Sequence, residues 1–323
     1  MLENGRPLGA HLPLGGGMVR AANRAAEIGA TALQIFCDNP TSWRRRETLP
    51  PELQPFRDRL AHHQIAPLVI HAPYLVNLAG PDPSLYERSV GLLANELTVA
   101  AAYGATMVNV HIGSHRGEGT DAGISRLTAG LQQVFDLAGH DADGVVLVLE
   151  NSSGSGFGLG STVAELAAID AALSKAGLPQ DRTGFCLDTA HLWGAGYQIS
   201  SEAGMNDLMD EFSAAVGIER LRLVHLNDSR SELGSRADRH EHLGAGNIGA
   251  AGLGRMLTHP ALHAVTYVLE TPGMDEGWDA VNLNRAREMA AGRPLAALPP
   301  EAFETRRAKS GAPPELGDAA NGN

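Results

Sequence analysis

The sequence predicts one (β/α)8 barrel over residues 1–292, and three observations carry that expectation. Eight short apolar runs alternate with eight stretches of helical periodicity. The alternation is strict, as parallel strands joined by crossover helices require. Metal-competent side chains close six consecutive apolar runs, at the end of the strands where such barrels carry their sites. A doubly wound open sheet is the alternative, and the unit count favours the barrel.

In chain order, Gly9 to Leu14 reads as the first strand and Gly16 to Ile28 as its helix. Ala32 to Phe36 is the second strand, followed by a polar loop from Cys37 to Arg46 and a helix near Glu52 to Gln64. Pro67 to His71 is the third strand, before a long helix from Pro83 to Tyr103. Thr106 to His111 and Asp121 to Ala138 form the fourth pair. Val145 to Glu150, a glycine-rich loop and a helix near Thr162 to Ala176 form the fifth. Gly184 to Asp188 is the sixth strand, with a helix around Ala203 to Val216. Arg220 to His225 is the seventh, with a short helix near Ala250 to Leu257. Val265 to Glu270 is the eighth, with a helix near Trp278 to Ala291. From Arg293 to Asn323 the pattern stops and Pro, Ala, Gly and mixed charge dominate, so 293–323 is expected to be a flexible C-terminal tail.

Composition narrows the class. The 323 residues are 43% hydrophobic, ordinary for a globular chain. Two cysteines, Cys37 and Cys186, imply no disulfide framework and fit a reducing, cytoplasmic setting. There is no uninterrupted apolar stretch of membrane-spanning length and no signal-peptide layout at the N-terminus, so no membrane partner is expected. A net charge of −12 argues, at face value, against nucleic acid.

The strand ends argue the other way. His71, His111, Glu150, Asp188, His225 and Glu270 close strands three to eight. His191 follows Asp188 by three residues, and Asp238 and His240 follow His225 within a loop that also holds Asp228 and His242. A single strand-end histidine is more often a hydrogen-bonded core residue, and a single carboxylate there is often a helix cap or half of a buried ion pair. Six neighbouring strands behaving alike is hard to reach from independent structural causes. Imidazole and carboxylate at this density suit a divalent metal of the zinc, manganese or iron type, and the inventory suggests two or three ions sharing a bridging carboxylate. His11 and His115 are positioned to line the same pocket, whereas His62, His63, His140, His259 and His263 read as surface.

Several segments closely resemble the endonuclease IV family of apurinic/apyrimidinic endonucleases. They are HAPYLVNLA at 71–79, VNVHIGSH at 108–115, LENSSGSG at 149–156, CLDTAHLWGAGY at 186–197, HLNDSRSELGSRADRHEHLGAGNIG at 225–249 and LETP at 269–272. The likeness runs from about Gly9 to Met289. It implies a (β/α)8 barrel with three zinc ions per chain, manganese being an option at one position. His71, His111 and Glu150 would hold the first ion, and Glu150, Asp188, His225 and Glu270 the second, with Glu150 as the bridging, catalytic carboxylate. His191, Asp238 and His240 would hold the third.

The implied activity is hydrolysis of the phosphodiester 5′ to an abasic site in double-stranded DNA, leaving a 3′-hydroxyl and a 5′-deoxyribose phosphate, together with trimming of blocked 3′ ends. Three divalent ions would outweigh the four carboxylates, so the pocket meeting phosphate would be cationic although the surface is acidic. The resemblance assigns DNA contacts to Asn39, Arg44 and Tyr74, and His115, Arg230, Arg236 and Arg239 stand as further rim contacts, as do Arg45 and Arg46. A monomer is expected. One departure stands out: Thr41 occupies the position of the family's DNA-inserting arginine and Asp38 that of a basic residue. A weaker grip on duplex DNA follows. A sugar or sugar-phosphate isomerase on the same barrel is the alternative, and Asp238 and His240 discriminate against it. A catalytically silent DNA-binding module is a third reading, against which the complete ligand set speaks.

Overall fold

The computed structural model describes residues 1–304. Eight parallel strands close into a barrel: β1 Leu8–His11, β2 Ala32–Ile35, β3 Leu68–His71, β4 Met107–His111, β5 Val146–Glu150, β6 Thr183–Asp188, β7 Leu221–His225 and β10 Thr266–Leu269. The last strand pairs with the first, Leu8 against Tyr267, so no sheet edge remains. The numbers β8 and β9 belong to a two-stranded ribbon, Asp228–Ser229 with His240–Glu241, raised on the loop after β7.

Helices α1 Met18–Glu27, α2 Leu53–His62, α3 Pro83–Tyr103, α4 Thr120–Ala138, α5 Val163–Lys175, α7 Glu202–Ala215, α8 Gly249–Thr258 and α9 Trp278–Ala290 sheathe the barrel. The sequence marks several starts directly. Asp82 caps α3 with Pro83 in its first turn, Thr162 caps α5, and Ser201 caps α7. An extra seven-residue helix, α6 Thr189–Ala195, follows β6 and has no counterpart in the sequence-based reading.

Strand parity positions the site. Alternate side chains face the helices, where Leu68, Ile70, Leu147, Leu149, Val224 and Leu269 join the main core. The others face the barrel axis. There Val69, Met107, Val148, Cys186, Leu223 and Val268 pack into a small separate cluster. A period of two then places His71, Glu150, Asp188, His225 and Glu270 on the inward face, one layer above that apolar plug. In β4, Met107 is followed by Asn109 and then His111 on the same face.

The boundary expected after 292 is corrected by the packing of residues 293–304. The carbonyl of Ala296 accepts a 2.7 Å bond from Arg285 Nη1, Leu295 packs on the core, and Ala302 is fully buried in a 3-10 turn, Pro300–Glu304. His242 Nε2 donates to the Ala302 carbonyl at 2.8 Å, and its ring lies 5.9 Å from that of Phe303. The remainder of the expected tail, 305–323, lies outside the described residues. Read from composition alone, truncation after Pro300 should be neutral. Truncation there would remove the acceptor of a buried imidazole, so a fall in Tm of about 2–6 °C is expected by calorimetry. An unchanged Tm would show that the docking contributes nothing.

Candidate metal centre

Nine side chains singled out in the sequence converge at the C-terminal mouth of the barrel. His71, His111 and Glu150 present ligand atoms within 4.8 Å of one another, as do Glu150, Asp188, His225 and Glu270. The third such group is Asp188, His191 and His240. Asp238 adjoins it, with carboxylate oxygens 3.3 Å from His191 Nε2 and 3.0 Å from His240 Nε2. Glu150 belongs to the first two groups and Asp188 to the last two, so both carboxylates stand between candidate positions. His71, Glu150, Asp188 and His225 are buried, whereas the side chains of His111 and Asp238 are 39% and 40% exposed and line the opening.

Hydrogen bonds fix which nitrogen each imidazole turns inward. His71 Nδ1 donates to the Ala72 carbonyl at 2.7 Å, His191 Nδ1 to the Asn151 carbonyl at 2.9 Å, and His240 Nδ1 to the Glu270 carbonyl at 2.9 Å. Each turns Nε2 toward the cluster, where it can ligate a metal or, without one, carry a proton. His225 is set by Gln34. The Gln34 amide nitrogen lies 2.7 Å from Glu270 Oε1, and a carboxylate cannot donate, so that end of the amide is NH2. The amide oxygen therefore faces His225 Nε2 at 2.9 Å, which must carry the proton. His225 Nδ1 is left bare, 3.3 Å from Glu150 Oε1 and 3.4 Å from Glu270 Oε2.

Glu150 Oε1, His225 Nδ1 and His240 Nε2 are buried without a hydrogen-bond partner among the described residues. Acceptors facing acceptors across such distances are unfavourable unless a cation lies between them, which is the fit a divalent metal requires. The electrostatics show the same pull for positive charge at the cluster. Burial pushes Glu150 up, but the His225 and His111 imidazoles outweigh it and hold the carboxyl well below the usual range. Burial likewise opposes ionisation of Asp238, and His240 and His191 reverse it. His240, which burial would lower, is raised to about 9 by Asp238 and Asp188, so without a metal it holds a proton that ligation would displace. Glu150 and Asp238 are thus ionised at neutral pH, as ligands must be.

Comparison with known proteins then decides the family. A protein of Methanoculleus marisnigri named "Probable endonuclease 4" is 38% identical over 283 residues, 88% of this chain and 98% of that one. The chain belongs to the endonuclease IV family. A homologue of the same name from Halothermothrix orenii is also 38% identical, over 281 residues, 86% of this chain and 99% of that one. The crystal structure of endonuclease IV from Thermus thermophilus superposes with a TM-score of 0.75 at 38% identity, covering 88% of this chain and 99% of that one. The family model described as a xylose isomerase-like TIM barrel matches residues 22–295. A D-psicose 3-epimerase, at 14% identity and a TM-score of 0.60, shares the fold alone. No helix among the described residues is long and apolar enough to cross a membrane.

Within this endonuclease IV barrel, two loop residues expected to suit a metal do other work. Asp228 is buried, and its carboxylate accepts from the backbone N–H groups of Ser229, Gly244, Gly246, Ile248 and Gly249, which folds the loop carrying Asp238 and His240. His242 is held between Asn282 and Ala302. Asp188 performs two tasks: Oδ1 caps α6 through the N–H groups of Ala190 and His191, and Oδ2 faces the cluster.

Sequence reasoning passed over the groups that orient the ligands. Gln34 bridges Glu270, His225 and His11, and Asn109 Nδ2 donates to Glu150 Oε2 at 2.6 Å. Asn151 Oδ1 accepts from the Asp188 backbone, while Asn227 Nδ2 donates to Asp188 Oδ2. For Gln34 and Asn109 a signal existed, because each polar side chain falls on the inward parity of an apolar strand. His11, buried beside Gln34, lies 3.5 Å from Glu270.

The candidate DNA contacts ring the mouth. Tyr74 is 40% exposed and sits against Phe36 and His111, with ring centroids 5.3 and 5.7 Å apart. Asn39 braces the β2 loop by accepting from the Thr41 backbone at 3.0 Å. Arg45 and Arg46 are engaged in ion pairs within the chain. Arg45 faces the buried Glu96 at 3.4 Å, and Arg46 pairs with Asp38 at 2.7 Å, which also offsets the unusual acid of this loop. Arg44 and Arg230 are exposed, and Arg239 is half-buried. His115 accepts a 2.9 Å bond from the Gly119 N–H, which shapes the β4 loop.

Proposed function

We propose that this chain is a trinuclear zinc endonuclease that cleaves duplex DNA on the 5′ side of an abasic site. Membership of the endonuclease IV family makes it a hydrolytic, metal-using nuclease acting on DNA. The observation that carries the finer reading is the ring of bare, buried acceptors shared among three adjoining ligand groups. His71, His111 and Glu150 would hold one ion; Glu150, Asp188, His225 and Glu270 a second; His191, Asp238 and His240 a third. Bound metals would supply charge relief to the phosphoryl oxygens and lower the pKa of water from 15.7 to roughly 7.

The chain's own residues supply the rest. Gln34, Asn109 and Asn227 hold Glu270, Glu150 and Asp188 in fixed orientations before substrate arrives, so little reorganisation accompanies reaction. Water held at the cluster is the nucleophile, next to the ionised carboxylate of Glu150. The water oxygen joins phosphorus and gives up a proton as the P–O3′ bond breaks, and the departing 3′-oxygen takes up a proton, so none is gained or lost overall. The products are a 3′-hydroxyl and a 5′-deoxyribose phosphate. Arg44, Arg230 and Arg239 would hold flanking phosphates, and Tyr74 would enter the duplex beside the extruded abasic nucleotide. Trimming of blocked 3′ ends uses the same phosphoryl chemistry.

Elemental analysis of the purified full chain tests the ligand assignment. Close to three divalent ions per chain, mostly zinc, are expected. One ion or fewer with undiminished nuclease activity would overturn the trinuclear reading. An isomerase would instead act on a ketose in the absence of any DNA.

A further inference from the structure

Phe157 has no evident role in the fold. It lies at the tip of the loop between β5 and α5, is 62% exposed, and adopts φ +62°, a region that side chains bearing a Cβ rarely enter. The loop is otherwise served by glycine: Gly154, Gly156 and Gly160 also take positive φ. Glycine at 157 would accept the same backbone without strain and without exposing an aromatic ring. Strain and exposed apolar area held together at one position, with no burial in return, point to a function.

The surroundings say what kind. The loop is pinned rather than loose: His115 N–H donates to the Phe157 carbonyl at 3.2 Å, Leu159 N–H to the Gly113 carbonyl at 2.9 Å, and the Ser114 hydroxyl to the Gly156 carbonyl. Ser114 and Gly158 form an isolated bridge, so the β4 and β5 loops are tied to each other. The phenyl ring stands 5.5 Å from that of His115. Arg116 follows in the β4 loop, and Arg236 of the β7 loop lies against Gly154. Both arginines are exposed, both take positive φ, and neither guanidinium has a hydrogen bond or ion pair among the described residues. Glu150 stands at the foot of the same loop. An exposed ring on a pinned loop, with unpaired cations on the two neighbouring loops at the mouth of a phosphodiester site, is the composition that binds unstacked nucleotides.

We propose that Phe157 stacks on a nucleobase of the DNA strand next to the lesion, with Arg116 and Arg236 on the adjoining phosphates. The proposal rests on the abasic-site reading above. It also supplies a second place to hold a distorted duplex, where Thr41 is too short to fill a base-sized gap.

Fluorescence anisotropy at one fixed salt concentration tests it, using the full chain. The probe is a duplex with a tetrahydrofuran abasic analogue and a phosphorothioate at the scissile linkage, beside an intact duplex. Phe157→Gly should weaken binding to the abasic duplex by about tenfold. Its Tm should be equal to or above that of the wild type, because glycine accepts the positive φ. Phe157→Tyr should bind within about twofold of wild type, since it keeps the ring. Wild-type affinity in Phe157→Gly, or an equal loss in Phe157→Tyr, would overturn the stacking role. A wild-type chain that does not prefer the abasic duplex would instead overturn the functional reading beneath it.

Discussion

Glu150→Gln is expected to lower turnover on abasic duplex by a factor on the order of 10² or more, while the chain stays folded. Glu150 touches more of the site than any other ligand. Its Oε2 accepts from Asn109 and lies 3.5 Å from both His71 and His111, while Oε1 faces His191 and His225 at 3.3 Å. Glutamine keeps the shape but replaces one oxygen by an NH2. Placed toward Asn109, that group meets another donor; placed the other way, it removes the bare Oε1 acceptor. Either orientation also removes the negative charge shared by two ligand groups. Single-turnover cleavage, alongside circular dichroism and metal content, checks this. Near-normal turnover with intact zinc would mean that the water is activated elsewhere.

Gln34→Ala is expected to weaken divalent-metal affinity at the second group by about 10- to 100-fold. The amide fixes His225 in the tautomer whose Nδ1 faces inward and holds Glu270 by a 2.7 Å bond. Alanine frees the ring to rotate or exchange its proton and removes the amide bond to Glu270, which then faces only the His225 and His11 imidazoles. Competition with a chromophoric chelator measures the affinity directly. Unchanged affinity would show that packing alone orients His225.

These two residues differ in how visible they are in the sequence. Glu150 ends an apolar run and announces itself, as do the other strand-end ligands. All eight barrel strands and their long helices are legible for the same reason: apolar alternation with explicit starts such as Asp82-Pro83. Gln34 interrupts an apolar run, and its importance appears only when inward parity is combined with the neighbours across the barrel. Helix α6 is seven residues long, too short for periodicity to declare itself, although it carries His191. Asp228 and Asp238 look alike in the sequence, yet one collects backbone N–H groups and the other faces imidazoles. The docking of residues 293–304 was hidden because it uses the backbone carbonyls of Ala296 and Ala302, which composition does not record.

The acidic surface is reconciled with DNA by local placement. The net charge of −12 is spread over the whole chain, whereas Arg44, Arg116, Arg230, Arg236 and Arg239 gather on loops at the mouth of the barrel. The proposed phosphate contacts would fall steeply with salt, so comparisons hold only at one ionic strength.

The most direct measurement is cleavage of a duplex bearing one abasic site by the metal-loaded full chain, with both product ends identified. The account predicts a single nick 5′ to the site, leaving a 3′-hydroxyl and a 5′-deoxyribose phosphate, no cleavage of the same duplex without the lesion, and loss of activity on chelation. A fully metal-loaded chain that leaves the abasic duplex intact, or that cuts damaged and undamaged strands alike, would contradict it.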